Sequence, residues 1–168
     1  MAEGILRSRV DAAGLDVHVS SAGIMPGGAP ATEHAVAVCA DRGVDISPHR
    51  SRRMDRELIE SADLILAMAS EHLREAVVMS PPAFGRTFLL RELVVRIEAQ
   101  PNATLAQLHA GRAIRDYIKG DPATDIADPV GQPHSKYEQT AWELDRLLTR
   151  LALWLPHALT APDEKAAS

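Results

Sequence analysis

After Asp63 the chain runs Leu64-Ile65-Leu66-Ala67-Met68 without a polar residue, and this stretch limits the possible folds more than any other. It has the length of a strand but lacks the alternation of a strand with one wet face. Such a strand is buried on both sides, as in a parallel sheet covered by helices. The surrounding pattern agrees. Ile5, Leu6 and Val10 stand at helical spacing in a segment that starts at Met1, where Ala2, Glu3, Leu6 and Arg7 are good helix formers. Val17-His18-Val19-Ser20-Ser21 alternates and predicts a strand, followed by a Gly/Pro-rich loop from Ala22 to Pro30.

Pro30 suits the start of a helix through about Arg42, ended by Gly43. Met54 to Ala62 predicts a short helix, and Ser70 suits the N-cap of the next one, with Glu71 in its first turn. Pro81-Pro82 ends that helix. Arg86 to Leu90 predicts another strand, and helical stretches follow near Glu92–Ala99 and Thr104–Arg115. After a polar loop from Asp116 to Pro133, Ser135 and Glu138 form a capping box for the last helix. Its apolar stripe is Tyr137, Ala141, Leu144, Leu148, Leu151 and Leu155, up to Pro156. The alternation predicts an α/β three-layer sandwich: a parallel sheet with helices on both faces. One domain is expected over residues 1–159, with a disordered tail over 160–168.

Composition narrows the function classes. The net charge of -5 argues against general nucleic-acid binding, which needs clustered Lys and Arg. The run His49-Arg50-Ser51-Arg52-Arg53 is the local exception, and it also reads as a solvated loop. No apolar run reaches the length of a membrane span, and no secretory leader is visible, so a cytoplasmic protein is expected. A single Cys excludes an internal disulfide framework and fits a reducing compartment. The seven His residues include no pair three or four apart, so neither a metal site nor a cofactor is expected.

Three segments are not explained by packing: Ser20-Ser21-Ala22-Gly23 at a strand end, Gly43 through Arg52, and Asp125-Ile126-Ala127-Asp128-Pro129 followed by Gly131 and Tyr137. In parallel sheets, ligand crevices form at strand ends of this kind. In this order and at these separations, the segments resemble the low-molecular-weight protein tyrosine phosphatase family over nearly the whole chain. The resemblance implies a four-stranded parallel sheet and a loop of pattern Cys-x-x-x-x-x-Arg-Ser. In that loop a thiolate attacks phosphorus while backbone amides and the Arg hold the phosphate oxygens.

Met1-Ala2-Glu3 matches the residues that directly follow this loop, so the loop and the central strand before it are expected to be absent from the sequence. The expectation is a start assigned to an internal Met, with a longer natural protein, and a 168-residue chain that is inactive and unstable on its own. Cys39 is no substitute, because the residue six positions on is Asp45 rather than Arg. A buried structural thiol is expected there.

By the same resemblance Asp128 matches the general acid that protonates the leaving oxygen. Read alone, it is also a turn carboxylate before Pro129. Ser21 and His49 match residues that hydrogen-bond the phosphate loop, and Arg52 matches a position that helps hold this network. His49 read alone is a plain loop histidine. Asp45 and Ser47 are expected to order their loop, and Pro30 and Ala31 to start a helix. Val130 stands where the family often has an aromatic residue lining the phosphotyrosine slot. A branched aliphatic wall cannot stack a phenyl ring, and Tyr117 is the alternative aromatic.

The implied activity is hydrolysis of phosphotyrosine or related phosphate monoesters through a cysteinyl-phosphate intermediate. The implied partners are a phosphorylated protein or a small phosphate ester. A non-catalytic module that binds phosphorylated partners is the alternative. An arsenate reductase is a third reading, but Ser80 to Ala99 lacks the further redox cysteines it needs.

Overall fold

The computed structural model describes residues 1–160, with side chains described through Ala158. The tail expected at 160–168 therefore lies outside the described residues, except for Thr160, which ends the last helix.

The Leu64–Met68 run supplies strand β1, Ile65–Ala67, and the Arg86–Leu90 stretch supplies β2, Thr87–Leu89. They pair in parallel with Ile65 opposite Thr87, Leu66 opposite Phe88 and Ala67 opposite Leu89. Because side chains alternate along a strand, the ladder separates two cores. Leu66 and Phe88 face a large core that also holds Ile5, Val10, Val38, Leu93, Leu144 and Leu148. On the other face Ala67 and Leu89 pack with Leu73 and Tyr117, and Ile65 packs beside Ile59, Ala76 and Ala83. Helices thus pack on both faces of a parallel ladder, although in β1 only Ala67 is fully buried and Ile65 and Leu66 are half-buried.

On the large-core face lie α1 (Ala2–Ala12), α2 (Glu33–Ala40), α5 (Leu90–Ala99) and α7 (His134–Thr160). The α7 stripe from Tyr137 to Leu155 is buried along its whole length, and α1, α2 and α5 all pack on it. Arg9 of α1 bonds Asp145 of α7, and Arg91 of α5 bonds Glu143. The opposite face carries α3 (Arg56–Ser61) and α4 (Ser70–Met79). A short helix α6 (Leu105–His109) and 3-10 turns at Pro81–Arg86 and Ile114–Tyr117 complete the described residues.

Several boundaries differ from the sequence reading, each for a physical reason. Val17–Ser21 is not a strand. Val17 and Val19 pack against the large core, but among the described residues no backbone hydrogen bond joins this stretch to β1 or β2. Side chains hold it instead: Arg7 donates to the Val19 carbonyl at 3.1 Å and Arg52 to the Ser21 carbonyl at 2.8 Å. The described sheet therefore has two strands, rather than the four of the family.

α2 starts at Glu33 rather than Pro30, because Thr32 caps it by accepting from the Ala35 amide at 3.3 Å. Pro30 meanwhile bridges to Arg50. The stretch Thr104–Arg115 divides at Gly111, whose φ of +78° leaves the helical region. Thr104 does form a capping box, with Gln107. α7 begins at His134, ahead of the expected cap Ser135, and continues past Pro156. A proline that close to the end removes one helical hydrogen bond while its ring keeps a helical φ.

Candidate active site

A cleft of about 760 Å³ opens where α1, the 17–21 stretch, the C-terminal end of β1 and the loop before α7 converge. Ser21, His49, Arg52 and Asp128 all line it, so the fold brings these predicted residues to one place. Two backbone close approaches build its first wall. A Cβ on Gly4 would stand 2.5 Å from Ile46 Cγ2, so the glycine lets α1 lie against the 44–46 segment. A Cβ on Gly27 would stand 3.0 Å from both Arg52 Cα and the Ser51 carbonyl. With no side chain there, the basic run closes on the Gly-rich loop. The Gly23 amide donates to Arg52 O at 3.0 Å, Met54 N to Gly23 O at 2.7 Å, and Gly28 N to Ser51 O at 2.7 Å.

The hub of this wall is Glu3, for which the sequence predicts a helix former in the Met1-Ala2-Glu3 match but no partners. Ser21 Oγ donates to Glu3 Oε2, Arg7 bonds the other carboxylate oxygen, and His49 Nδ1 lies 3.5 Å from Oε2. Partial burial pushes the Glu3 carboxyl up. The Ser21 hydroxyl, the Arg7 guanidinium and His49 together outweigh it and hold the group below the usual carboxylate range. The only local sign of this role is the i,i+4 pair with Arg7; Ser21 and His49 come from elsewhere in the chain.

Asp45 accepts from the Ser47 amide at 2.8 Å, which orders that loop as expected. The Ser47 hydrogen bonds lower the Asp45 pKa.

The opposite wall carries Asp128, on a loop pinned at successive residues. Asp125 Oδ1 accepts from both the amide and the hydroxyl of Ser70 at 2.8 Å, so it caps α4 from a distance. Ala69, not Ser70, is the residue at the cap position. The next amide, Ile126 N, donates to the Met68 carbonyl at 2.7 Å, hanging the loop on the end of β1. Thr140 of α7 then donates to Ala127 O at 3.3 Å. Arg91 adds bonds to the carbonyls of Pro122 and Ala123 at 3.1 and 3.0 Å. Asp128 itself accepts from the Val130 amide at 2.9 Å and stays exposed.

Val130 is 64% exposed and stands outside the cleft lining, while Tyr117 is buried on the far face of the ladder. The Tyr117 hydroxyl bonds Glu92 and Arg112 there, so it does not approach the pocket. Cys39 has 0% exposure and lies within α2. Burial pushes its thiol up, against the pull of the N-terminal amine and Arg42, which makes it a poor nucleophile. Among the described residues no three His, Cys, Asp or Glu side chains converge as metal ligands, and no helix is long and apolar enough to cross a membrane.

Comparison with known proteins decides the family. The description "Low molecular weight phosphotyrosine protein phosphatase" matches residues 1–102. The chain belongs to that family. It is similar to the protein-arginine-phosphatase of Bacillus subtilis (strain 168), with 34% identity over 154 residues, 90% of this chain and 85% of the relative. Among solved structures, a YwlE mutant from Bacillus subtilis aligns with a TM-score of 0.70 at 30% identity, covering 92% of this chain and 88% of the other. The low molecular weight protein tyrosine phosphatase from T. tengcongensis aligns at 0.69 and 34%, covering 89% and 86%. Phosphatases of this family act on phosphorylated proteins, and this chain shares their α/β fold.

Proposed function

We propose that the cleft is the leaving-group half of a phosphatase site for phosphorylated protein side chains, with phosphoarginine as the preferred substrate. The carrying observation is the opposite charge of its walls. Arg7, Arg50 and Arg52 line one side, where they outnumber Glu3 and Asp45, and Glu71 and Asp128 line the other. A phosphoryl group bonded to a guanidine presents an anion beside a cation-forming group, and such a ligand matches both walls. A phenyl ester offers nothing to the acidic side except the proton-accepting oxygen. Among the described residues no Phe, Tyr or Trp lines the cleft, so ring stacking supplies no tyrosine preference. The B. subtilis relative is named for phosphoarginine hydrolysis, which supports the same reading.

In the reaction a thiolate would attack phosphorus, the P–N or P–O bond would break, and Asp128 would protonate the departing atom. Water would then hydrolyse the cysteinyl phosphate. These 168 residues contain one thiol, Cys39, buried away from the cleft. The 168-residue chain is therefore proposed to be inactive alone, and binding of a phosphorylated partner without turnover is the alternative for it. A reducing cytoplasm suits the chemistry, because the attacking thiol must stay unoxidised.

The test compares the 168-residue chain with one carrying a strand and a Cys-x5-Arg-Ser loop fused ahead of Met1. Both are assayed on phosphoarginine and phosphotyrosine peptides. The shorter chain should show no turnover. The fusion should hydrolyse phosphoarginine with the higher kcat/KM, and Asp128→Asn in it should lower kcat by about 10²–10⁴. A folded but inactive fusion, or an Asp128→Asn variant at full rate, would overturn the site. A phosphotyrosine preference would overturn the substrate.

A further inference from the structure

Sequence spacing offers no histidine pair, yet the fold makes one. His34 on α2 and His134 at the start of α7 lie 100 positions apart, with Nδ1 atoms 3.3 Å from each other. The rings meet at 65° with centroids 5.2 Å apart, so they are not stacked. Each ring has its own support. His34 packs on the Tyr137 ring at 5.3 Å, and Tyr137 is buried. His134 Nε2 lies 3.8 Å from Glu138 Oε1, one turn along α7.

We propose that His34 and His134 form a two-histidine site for a divalent transition-metal ion of the zinc type, bound through both Nδ1 atoms. The geometry carries it. Zinc–nitrogen bonds of about 2.0–2.1 Å at a tetrahedral angle separate two ligand nitrogens by about 3.3–3.4 Å, the spacing already present. Without metal, the contact is an Nδ1–H···Nδ1 hydrogen bond in which one ring donates its proton and the other accepts. On binding, that proton is carried by Nε2 instead, both Nδ1 lone pairs turn to the ion, and the rings keep their net charge. Glu138 favours this tautomer, because a carboxylate beside Nε2 stabilises Nε2–H and raises the basicity of the other nitrogen. Water fills the remaining positions. The ion ties α2 to the residue that follows the Asp128 loop, replacing a single hydrogen bond by two metal–nitrogen bonds. The site is independent of the phosphatase reading.

Titration calorimetry of the full chain with zinc chloride and with magnesium chloride tests the site. Zinc should bind one equivalent and magnesium none, since imidazole ligands suit the softer ion. His34→Ala and His134→Ala should each weaken zinc binding at least about tenfold, and Glu138→Gln, which removes an exposed charge 3.8 Å from Nε2, should weaken it less. His18→Ala should leave it unchanged. Both His34 and His134 are solvent-accessible, so the variants keep the core, and thermal melts followed by circular dichroism check this. If either variant unfolds, nitrogen-15 spectra of the wild-type histidines give the answer. Zinc must then shift the Nδ1 resonances of His34 and His134 above all others. No zinc binding, unchanged binding in both alanine variants, or loss only in His18→Ala overturns the proposal.

Discussion

Asp125 and Ser70 are held together by a forked contact: one carboxylate oxygen accepts from the Ser70 amide and hydroxyl, both at 2.8 Å, across 55 positions of sequence. The carboxylate does for α4 what an N-cap side chain normally does, and in return the helix fixes the start of the Asp128 loop. The following residue continues the anchoring through the Ile126–Met68 bond. Asp125 thus fixes the position of the loop that carries Asp128, the proposed general acid.

Replacing Asp125 by Ala should remove a cap worth about 1–2 kcal/mol, while Asn, which keeps an acceptor but loses the charge, should cost about 0.5–1 kcal/mol. Urea denaturation measures both. Hydrogen exchange adds a local readout: the Ile126 amide should lose protection more than the Leu108 amide, which bonds within its own α6 turn. Equal loss at the two amides would mean that Asp125 stabilises the domain without holding the loop.

The Glu3 hub predicts an acid-sensitive contribution. Its pKa is held below the unfolded value, so the folded state binds its proton less readily than the unfolded chain. That stability is present above the ordinary value of 4.5 and is lost as pH falls through the lower folded value. Glu3→Gln should therefore cost about 1–2 kcal/mol near neutrality, in keeping with hydrogen bonds to a charged group. The gap between variant and wild type should close under acid. A gap that stays constant with pH would remove the charge from the account.

A second pH dependence arises at His109. Arg112, buried over the Phe88 ring with its Cζ 4.0 Å from the centroid, donates to Glu92, Tyr117 and the Thr87 carbonyl. Its remaining nitrogen faces His109 Nδ1 at 3.1 Å, so His109 must accept and be neutral. Burial, with the charges of Arg112 and Arg96, lowers the His109 pKa against the opposing pull of Glu92. Between the folded value and the unfolded 6.5, the unfolded chain binds more protons, so stability rises with pH. Denaturation midpoints of the wild type should fall as pH drops below about 6.5, and His109→Gln should flatten that slope. An equal slope in the variant would assign the effect to other groups.

How much of this was legible in the chain depends on the range of the interactions involved. The α7 stripe and Ile5, Leu6 and Val10 of α1 follow a local period, and all are buried. β1 declares itself because a strand covered on both faces is apolar throughout. Val17–Ser21 has the alternation of a strand, but a strand also needs a neighbour, and pairing is not encoded in one segment. The cleft residues Ser21, His49, Arg52 and Asp128 were visible through family resemblance, and the fold gathers them. Glu3, Arg112 and the His34–His134 pair were not, since each owes its role to partners far along the chain. Helix starts moved where another residue took the cap, as Thr32 does at α2 and the distant Asp125 at α4.

The last prediction separates two glycines of the same loop. At Gly27 a Cβ would meet backbone, Arg52 Cα and Ser51 O at 3.0 Å and Arg53 N at 3.3 Å. Backbone atoms on a facing strand-like segment cannot step aside as a side-chain end can, so Gly27→Ala must push the 50–53 segment away. That displacement strains the Gly28–Ser51 bond and draws Arg52 from the Ser21 carbonyl, so both the loop and the basic wall of the cleft loosen. A cost of about 1–3 kcal/mol is expected, the range for overpacking a close contact. Gly23 has no atom within 4 Å of its Cβ position and no positive φ, so Gly23→Ala should be close to neutral. Thermal melts of the two variants measure the difference. Equal melting temperatures would show that the loop absorbs the extra methyl, and that the approach of residues 50–53 does not depend on Gly27.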